Sequence, residues 1–286
     1  MLAQNIAVGA FVVLLMLSVG LDLSVDSVIA TLRRPLALGA GALTGYVLVP
    51  LLAMAMAALA EVDPGVRAGL LLCAFAPGGP MGAYLTWQAR GNVPLAAAMV
   101  LLFNAANTVL IPLGLSLAGV AGVGDGFSHL GEMATTIVLY QILPLAVGMA
   151  LRRGVPGRAA RLQRVCASLA NLLLVLVGGG VLLFQGARFL EAGPRAVLAV
   201  LSCVLGSLVL GWFCAPRSRP DRVALACVGV IHSTSACILL ATTWFKDPLV
   251  LLTVVLWSGS MFLVGVVAAR LLGRAARSAT SVAGGG

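Results

Sequence analysis

Two short stretches of this chain place polar groups and free backbone inside long apolar segments. The first, PGGPMG, covers residues 77–82, and the second, HSTS, covers residues 232–235. Proline removes a backbone donor and glycine loosens a helix, so each stretch is expected to interrupt a helix. Amide groups freed at a helix N-terminus suit an anion, and freed carbonyl groups suit a cation. The two stretches therefore predict a ligand-binding site built from two broken helices.

Neutral polar side chains also occur in the apolar segment 93–117, where Asn104, Asn107 and Thr108 lie about one helical turn apart. An asparagine in a membrane span either bridges neighbouring helices, contributing about 1 kcal/mol, or offers its carbonyl oxygen to a ligand. His232 is an ionisable group near the middle of an apolar segment, so it is either a proton-coupling group or a neutral bridge between helices. We expect the hydroxyl groups of residues 233–235 to cap the second half-helix.

The candidate residues for binding substrate or ion come from the two stretches, from segment 93–117 and from one cysteine. They are Pro77, Gly78, Gly79, Gly82, Asn104, Asn107, Thr108, Cys227, His232, Ser233 and Thr234. The sequence shows no nucleophile–base spacing and no HExxH pattern, so an enzyme is not expected. Its six cysteines form no CxxC pair and lie in or beside apolar segments, which predicts packing roles rather than disulfides or a metal site.

The composition predicts a membrane protein. Of the 286 residues, 61% are hydrophobic and 9% are charged, and the mean hydropathy is +1.09. Soluble domains contain about 25% charged residues. Apolar stretches of about 18 residues or more recur along the chain, and each could span a bilayer as a helix. The net charge of +9 is spread over short loops, so we expect contact with membrane lipid and no nucleic-acid partner.

The apolar segments predict nine spans in a single transmembrane domain covering residues 1–286, with a cytoplasmic tail at 272–286. The spans are expected near 4–23, 36–60, 68–88, 93–117, 135–151, 165–185, 196–214, 223–244 and 249–271. The two interrupted spans are the third and the eighth, so they cross the membrane in opposite directions. Broken helices at corresponding places in oppositely oriented halves are typical of inverted-repeat secondary transporters. The N-terminus has no cationic stretch and no small-residue cleavage site, so no removable signal peptide is expected.

Basic residues divide the loops into two alternating sets. One set holds 14 of the 18 lysines and arginines: Arg33, Arg34, Arg90, Arg152, Arg153, Arg158, Arg161, Arg164, Arg217, Arg219, Arg222, Arg270, Arg274 and Arg277. Cytoplasmic loops carry the excess of such residues. We therefore expect an N-terminus outside and a C-terminus in the cytoplasm, in the plasma (inner) membrane. An odd number of spans agrees with this orientation.

Several motifs resemble the bile acid:sodium symporter family. The family's pattern is a Pro-Gly-Gly break, a short helix, the motif Ala-(Lys/Arg)-Gly-(Asp/Asn), and then a helix that ends in proline. This chain is similar in having Ala76-Pro77-Gly78-Gly79, then Ala89-Arg90-Gly91-Asn92, and then Pro112. Further matches are residues 17–23, 33–35, 143–144 and 228–229. The resemblance extends over nearly the whole chain. It implies the nine-span form of an all-α fold, with a core domain containing two crossing broken helices, a smaller panel domain and alternating access between them.

The resemblance also implies sodium as the coupling ion, but this chain differs from the family at the positions whose side chains bind sodium. The family's Ser-Asn pair after the break falls on Gly82 and Ala83, and the glutamate of its Glu-Val-Gly-Met-Gln-Asn signature falls on Cys227. A cation in a low-dielectric site needs several oxygen ligands, and a carboxylate helps to offset its charge. We therefore expect the standard sodium sites to be lost or weakened, and no other cofactor. A weak sodium site could remain near Asn104, Asn107 and Ser233.

The sequence thus predicts a secondary active transporter of a small organic anion, coupled to sodium, to protons or to no ion. One alternative is a non-transporting membrane relative that acts as a sensor or a structural partner. Another is an arsenite-type exporter of the same superfamily, which would place a cysteine at the first break, where this chain has Gly78 and Gly79. The sequence leaves the substrate, the direction of transport and the oligomeric state open.

Overall fold

The computed structural model describes residues 2–22, 34–120, 130–191 and 193–283, and within these ranges the chain forms helices and no strand. We number the helices α1 to α11 in chain order. They are α1 Leu2–Asp22, α2 Pro35–Leu59, α3 Pro64–Ala74, α4 Met81–Gln88, α5 Val93–Leu117, α6 from Leu130–Ile137 through Leu143–Gly154, α7 Pro156–Glu191, α8 Gly193–Cys214, α9 Arg219–Val230, α10 Thr234–Trp244 and α11 Pro248–Ala283. The predicted all-α fold is confirmed.

Six of these helices, α2, α5, α6, α7, α8 and α11, contain an apolar stretch long enough to cross a membrane. Helices α1, α3 and α10 contain shorter apolar stretches. Large apolar side chains such as Leu172 and Phe213 are exposed on the outer faces of α7 and α8. Such faces are normal against lipid, because lipid tails are as apolar as the side chains. The chain is therefore a polytopic membrane protein, as predicted.

Proline defines many of the helix starts. It lies at the first or second position of α2, α3, α5, α7, α9 and α11, where its missing N–H costs nothing. Two further prolines, Pro50 and Pro144, lie inside α2 and α6, and each follows a π-helical turn, at Thr44–Leu48 and Val138–Ile142. The wider turn accommodates the proline ring, which would clash with the carbonyl four residues earlier in a regular helix.

Helices α1, α6 and α7 pack together, and we call them the panel; the other eight described helices form the core. The contact between α1 and α6 depends on Gly20 and Gly148. A Cβ atom at Gly20 would lie 2.1 Å from the Leu145 carbonyl oxygen, and one at Gly148 would lie 2.4 Å from the Leu17 carbonyl oxygen. Only glycine allows the two backbones to approach this closely, as is common between membrane helices.

The two predicted interruptions are breaks in the core. The backbone is extended or turned between α3 and α4, at residues 75–80, and between α9 and α10, at residues 231–233. Gly78 has a φ of +90°, a conformation that side chains with a Cβ rarely adopt. Helices α3 and α10 are buried along most of their length, and so are most residues of the two breaks. Irregular backbone is tolerated in a membrane where protein buries it or where it lines a water-filled cavity.

Some sequence predictions differ from the helix bounds or lie outside the described residues. The predicted spans 165–185 and 249–271 lie within the longer helices α7 and α11. The cationic ends of both helices continue beyond the apolar part, and α11 extends through the predicted tail to Ala283. Residue 23 and residue 33 of the family motifs, and residues 284–286 of the tail, lie outside the described residues.

Candidate functional site

The two breaks contact each other in the middle of the core, and we call this contact the crossing. The stretches run antiparallel: the Gly79 amide donates to the Ile231 carbonyl at 2.9 Å, and the Ser233 amide donates to the Ala76 carbonyl at 2.7 Å. A Cβ atom at Gly79 would lie 2.3 Å from the His232 carbonyl oxygen. The glycine of the motif is therefore required for the backbones to meet.

Two asparagines of α5 hold the first break. The Asn104 side-chain amide donates to the Gly78 carbonyl at 2.7 Å and to the Val100 carbonyl at 2.8 Å. The Asn107 side-chain amide donates to the Pro77 carbonyl at 3.0 Å. Both side chains are buried. Their NH₂ groups therefore satisfy the carbonyls that the break leaves without helical partners.

Hydroxyl groups orient these two amides. The Tyr46 hydroxyl of α2 donates to Asn107 Oδ1 at 2.8 Å and to the Phe103 carbonyl at 3.0 Å. The Ser233 hydroxyl donates to Asn104 Oδ1 at 3.4 Å. Ser233 is the residue before α10, but its side chain makes no capping hydrogen bond. The predicted capping role of Ser233 is therefore wrong, because its hydroxyl is engaged by the asparagine of α5.

Gly82 and Cys227 form a close contact between α4 and α9. A Cβ atom at Gly82 would lie 3.0 Å from the Val228 Cα atom and 3.3 Å from the Cys227 carbonyl oxygen. The Thr86 hydroxyl donates to the Gly82 carbonyl at 2.7 Å. Cys227 is buried. These two candidate residues thus serve helix packing beside the crossing.

A cavity of about 740 Å³ lies between the panel and the core. On the panel side it is lined by α1 and α7 residues at helical spacing, among them Ser18, Asp22, Gln163 and Asn171, and by Arg152 of α6. On the core side it is lined mainly by apolar residues, including the exposed rings of Tyr84 and Trp87. Its core wall also contains His232, Thr234 and Ser235. The cavity therefore extends from the end of the bundle that carries Asp22 and Arg152 to the crossing.

His232 lies where the cavity meets the crossing. Its Nδ1 lies 3.3 Å from the Val230 carbonyl, and its backbone amide donates to the Met261 sulfur at 3.2 Å. Since a carbonyl can only accept, this contact places the ring proton on Nδ1. The ring packs edge-to-face on Trp257, with centroids 5.2 Å apart. Nε2 is buried and has no hydrogen-bond partner among the described residues.

At the end of the bundle where Arg34 lies, which we call the basic end, Asp221 joins three elements. Its carboxylate accepts from the Asn92 side-chain amide at 2.7 Å and from Arg34 Nη1 at 2.8 Å. The Asn92 backbone amide also donates to the Pro220 carbonyl at 2.9 Å. Burial alone would raise the pKa of Asp221, but hydrogen bonds with Asn92, Ser218 and Arg34 lower that pKa below its usual range. The start of α9 is thus tied to the start of α5.

The structure divides the predicted residues into groups. The crossing is formed by Pro77, Gly78, Gly79, Asn104, Asn107 and Ser233. His232 and Thr234 also line the cavity. Thr234 Oγ1 lies 3.1 Å from Ser258 Oγ. Thr108 is not brought to the crossing, and its buried hydroxyl has no partner among the described residues.

Sequence reasoning missed Tyr46 and the panel wall of the cavity. Gln163, Ala167 and Asn171 recur every four residues on one face of α7, and this periodicity was a usable signal. Tyr46 gave a weaker signal, as a hydroxyl-bearing ring in an apolar span four residues before Pro50.

Comparison with known proteins identifies a family and several relatives. Residues 10–190 match the model of the Sodium Bile acid symporter family, a segment that contains the first break and ends before α8. The chain is 24% identical over 234 residues to a probable sodium/metabolite cotransporter, BASS3, of Oryza sativa subsp. japonica, which covers 79% of this chain and 54% of the relative. It is 28% identical over 200 residues to sodium/bile acid cotransporter 4 of Rattus norvegicus, and this match covers 68% of this chain and 45% of the relative. The chain thus spans about half the length of these relatives.

Proposed function

Because the chain belongs to the Sodium Bile acid symporter family, we propose that it is a secondary active transporter that moves a small organic anion by alternating access. The observation that supports this most directly is the cavity between panel and core, which reaches the crossing from one end of the bundle. Its volume of about 740 Å³ falls within the range of about 300–1,000 Å³ that is usual for small-molecule sites. The family membership also argues against an enzyme.

The helix N-terminus at the inner end of the cavity favours an anion, whereas Asp22 and Arg152 in its outer wall carry opposite charges. Arg152 lines its outer part, and Thr234 and Ser235, at the N-terminus of α10, line its inner part. A helix N-terminus carries a partial positive charge that stabilises an anion. Apolar residues make up most of the remaining wall. The favoured substrate is therefore an amphipathic organic anion, with its charged group towards α10 and its apolar part against Trp87 and Tyr84.

We place the protein in the plasma membrane with its basic end in the cytoplasm, following the excess of arginine in that set of loops. In this orientation the cavity faces the cytoplasm, and the structure corresponds to an inward-open state. Transport then requires a second state in which the panel and the core open on the other side. Outer faces with exposed leucine and valine are the surface for lipid.

The test is uptake by purified protein in proteoliposomes, using lactate, benzoate and taurocholate as anions of increasing apolar area. We expect saturable uptake of at least one, which Ala167→Trp should abolish because Ala167 lines the cavity. Leu172→Trp, on the exposed face of the same helix, is the matched control and should transport normally. Saturable binding in a thermal-shift assay with no uptake would instead identify a non-transporting sensor. Equal uptake by both variants would refute the cavity as the path.

A further inference from the structure

The backbone carbonyls of the crossing are the oxygen atoms on which a cation site there would depend. The extended stretches and their flanks contribute eight, at residues 76–79 and 230–233, and each accepts a hydrogen bond from the chain itself. The eight donors are the backbone amides of Gly79, Gly82, Ser233, Thr234 and Cys237, the side-chain amides of Asn104 and Asn107, and the imidazole of His232. Each of the eight oxygens thus already has a protein donor on one of its two lone pairs.

The two asparagine amides cannot turn round to offer oxygen instead without losing partners. Asn107 Oδ1 accepts from the Tyr46 hydroxyl at 2.8 Å, whereas Asn104 Oδ1 lies at the longer distance of 3.4 Å from the Ser233 hydroxyl. A reversed amide would place Oδ1 against the carbonyls of Pro77 and Gly78, where two acceptors would face each other. The hydroxyls therefore fix both NH₂ groups towards the break.

The residues around the crossing provide neither the negative charge nor the space that a cation site would need. Among the described residues, no aspartate or glutamate lies in either break; Asp22 and Asp221 lie at the basic end of the bundle. The α4–α9 contact at Gly82 is tight, because a Cβ atom there would lie 3.0 Å from Val228 Cα. A hard cation in a low-dielectric site needs several free oxygens and negative charge. The residues present do not fit sodium.

We infer that Asn104 and Asn107 take the place of a coupling cation at the crossing, so that this chain, unlike the relatives whose names include sodium, does not require sodium. The amides donate permanently to the carbonyls that a bound cation would otherwise have to stabilise. The statement about transport rests on the proposed function. The statement about the crossing concerns the folded protein alone and is tested without transport.

The first experiment measures the melting temperature of the purified full-length protein in sodium chloride, potassium chloride and choline chloride at equal ionic strength. By mass action, a site with a Kd of about 10 mM would raise the Tm by about 3–6 °C in about 150 mM sodium. We expect a difference of less than about 1 °C between the salts, since no site is present to be filled. A saturable rise specific to sodium, or saturable binding of radioactive sodium, would overturn the inference.

A second experiment converts the amide into a cation ligand. Asn107→Asp replaces the NH₂ donor by a carboxyl group about 3.0 Å from the Pro77 carbonyl. Its ionised form, which alkaline pH favours, is repelled by that oxygen. We expect a lower Tm in choline that sodium partly restores. Asn171→Asp, on the panel wall of the cavity, is the matched control and should gain no sodium dependence. If sodium changed the Tm of the two variants equally, the inference that the asparagine amides take the place of a cation would be refuted.

Uptake separates the two proposals. Saturable uptake that falls at least about tenfold when choline replaces sodium inside and outside would refute sodium independence and leave transport standing. Absence of uptake, together with a Tm that does not respond to sodium, would refute the proposed function and support the cation-free crossing. Equal uptake in both salts would support both.

Discussion

Tyr46→Phe tests whether the hydroxyl that orients Asn107 stabilises the crossing. The substitution removes the donor that lies 2.8 Å from Asn107 Oδ1. It keeps the aromatic ring, which packs edge-to-face on Phe103 with centroids 5.5 Å apart. Asn107 is buried, so no water replaces the lost donor. The change therefore removes one hydroxyl group, whose single proton the Asn107 and Phe103 oxygens share, with little change in packing.

The expected cost follows from the acceptor that is left without a partner. A buried acceptor that loses its donor costs about 1–3 kcal/mol. For a chain of this size, 1 kcal/mol corresponds to about 2–4 °C in the melting temperature. We therefore expect Tyr46→Phe to lower the free energy of unfolding by about 1–3 kcal/mol and the Tm by about 2–12 °C.

The assay is a double-mutant cycle with Asn107→Leu, read by thermal unfolding in detergent. Tyr46→Phe leaves Asn107 Oδ1 without its donor, and Asn107→Leu leaves the Tyr46 hydroxyl with the Phe103 carbonyl alone and the Pro77 carbonyl without its side-chain donor. The double variant removes both partners of the Tyr46–Asn107 bond. We expect the double variant to be less destabilised than the sum of the singles by about 0.5–1.5 kcal/mol. Tyr140→Phe is the control, since Tyr140 also lies in a π-helical turn four residues before a proline. Its side chain is exposed, and its hydroxyl has no hydrogen bond among the described residues. This substitution should lower the free energy of unfolding by less than about 0.5 kcal/mol. Additive effects would show that Tyr46 does not orient the amide.

Two further predictions concern the panel and the basic end. Gly148→Ala should destabilise the protein by about 1–3 kcal/mol, because the new Cβ atom would lie 2.4 Å from the Leu17 carbonyl oxygen. Gly154→Ala is the control: the space around Gly154 is open, so the Tm should change by less than about 2 °C. Because the pKa of Asp221 is lowered in the folded protein, its contribution to stability is complete above the unfolded value of about 3.9 and is lost as the pH falls through the folded value. Asp221→Asn should therefore lower the Tm above about pH 5, and the difference from the wild type should shrink below about pH 4; a constant difference from pH 3 to pH 7 would contradict this assignment.

The interruptions could be predicted from sequence because they depend on local backbone chemistry. Proline and glycine at residues 77–79 limit the helix whatever surrounds them. The family resemblance, carried mainly by the same motif, is confirmed by the match over residues 10–190. The fold class was accessible for a similar reason, since a bilayer imposes one solution, the helix, on each apolar span of this length.

Tertiary contacts set the limit of the sequence prediction. Ser233 was expected to cap α10, yet its hydroxyl bonds to Asn104, which is 129 residues away in the chain. For the two asparagines, sequence reasoning left bridging and ligand binding equally open. Their NH₂ groups bridge α5 to the carbonyls of Pro77 and Gly78, an orientation that depends on the Tyr46 hydroxyl 61 residues away. No local pattern encodes which end of an amide faces which group.

The tie at Asp221 and the crossing connect the two broken helices at two places. Gly79 bonds directly to Ile231, and the loop that follows α4 bonds through Asn92 to the start of α9. Two separated attachments oppose rotation and sliding of one broken helix against the other. We therefore expect the pair to move together. In the proposed alternating access, the two broken helices would be displaced together against α1 and α7. A distance probe from α4 to α9 is then expected to stay constant while one from α4 to α7 changes.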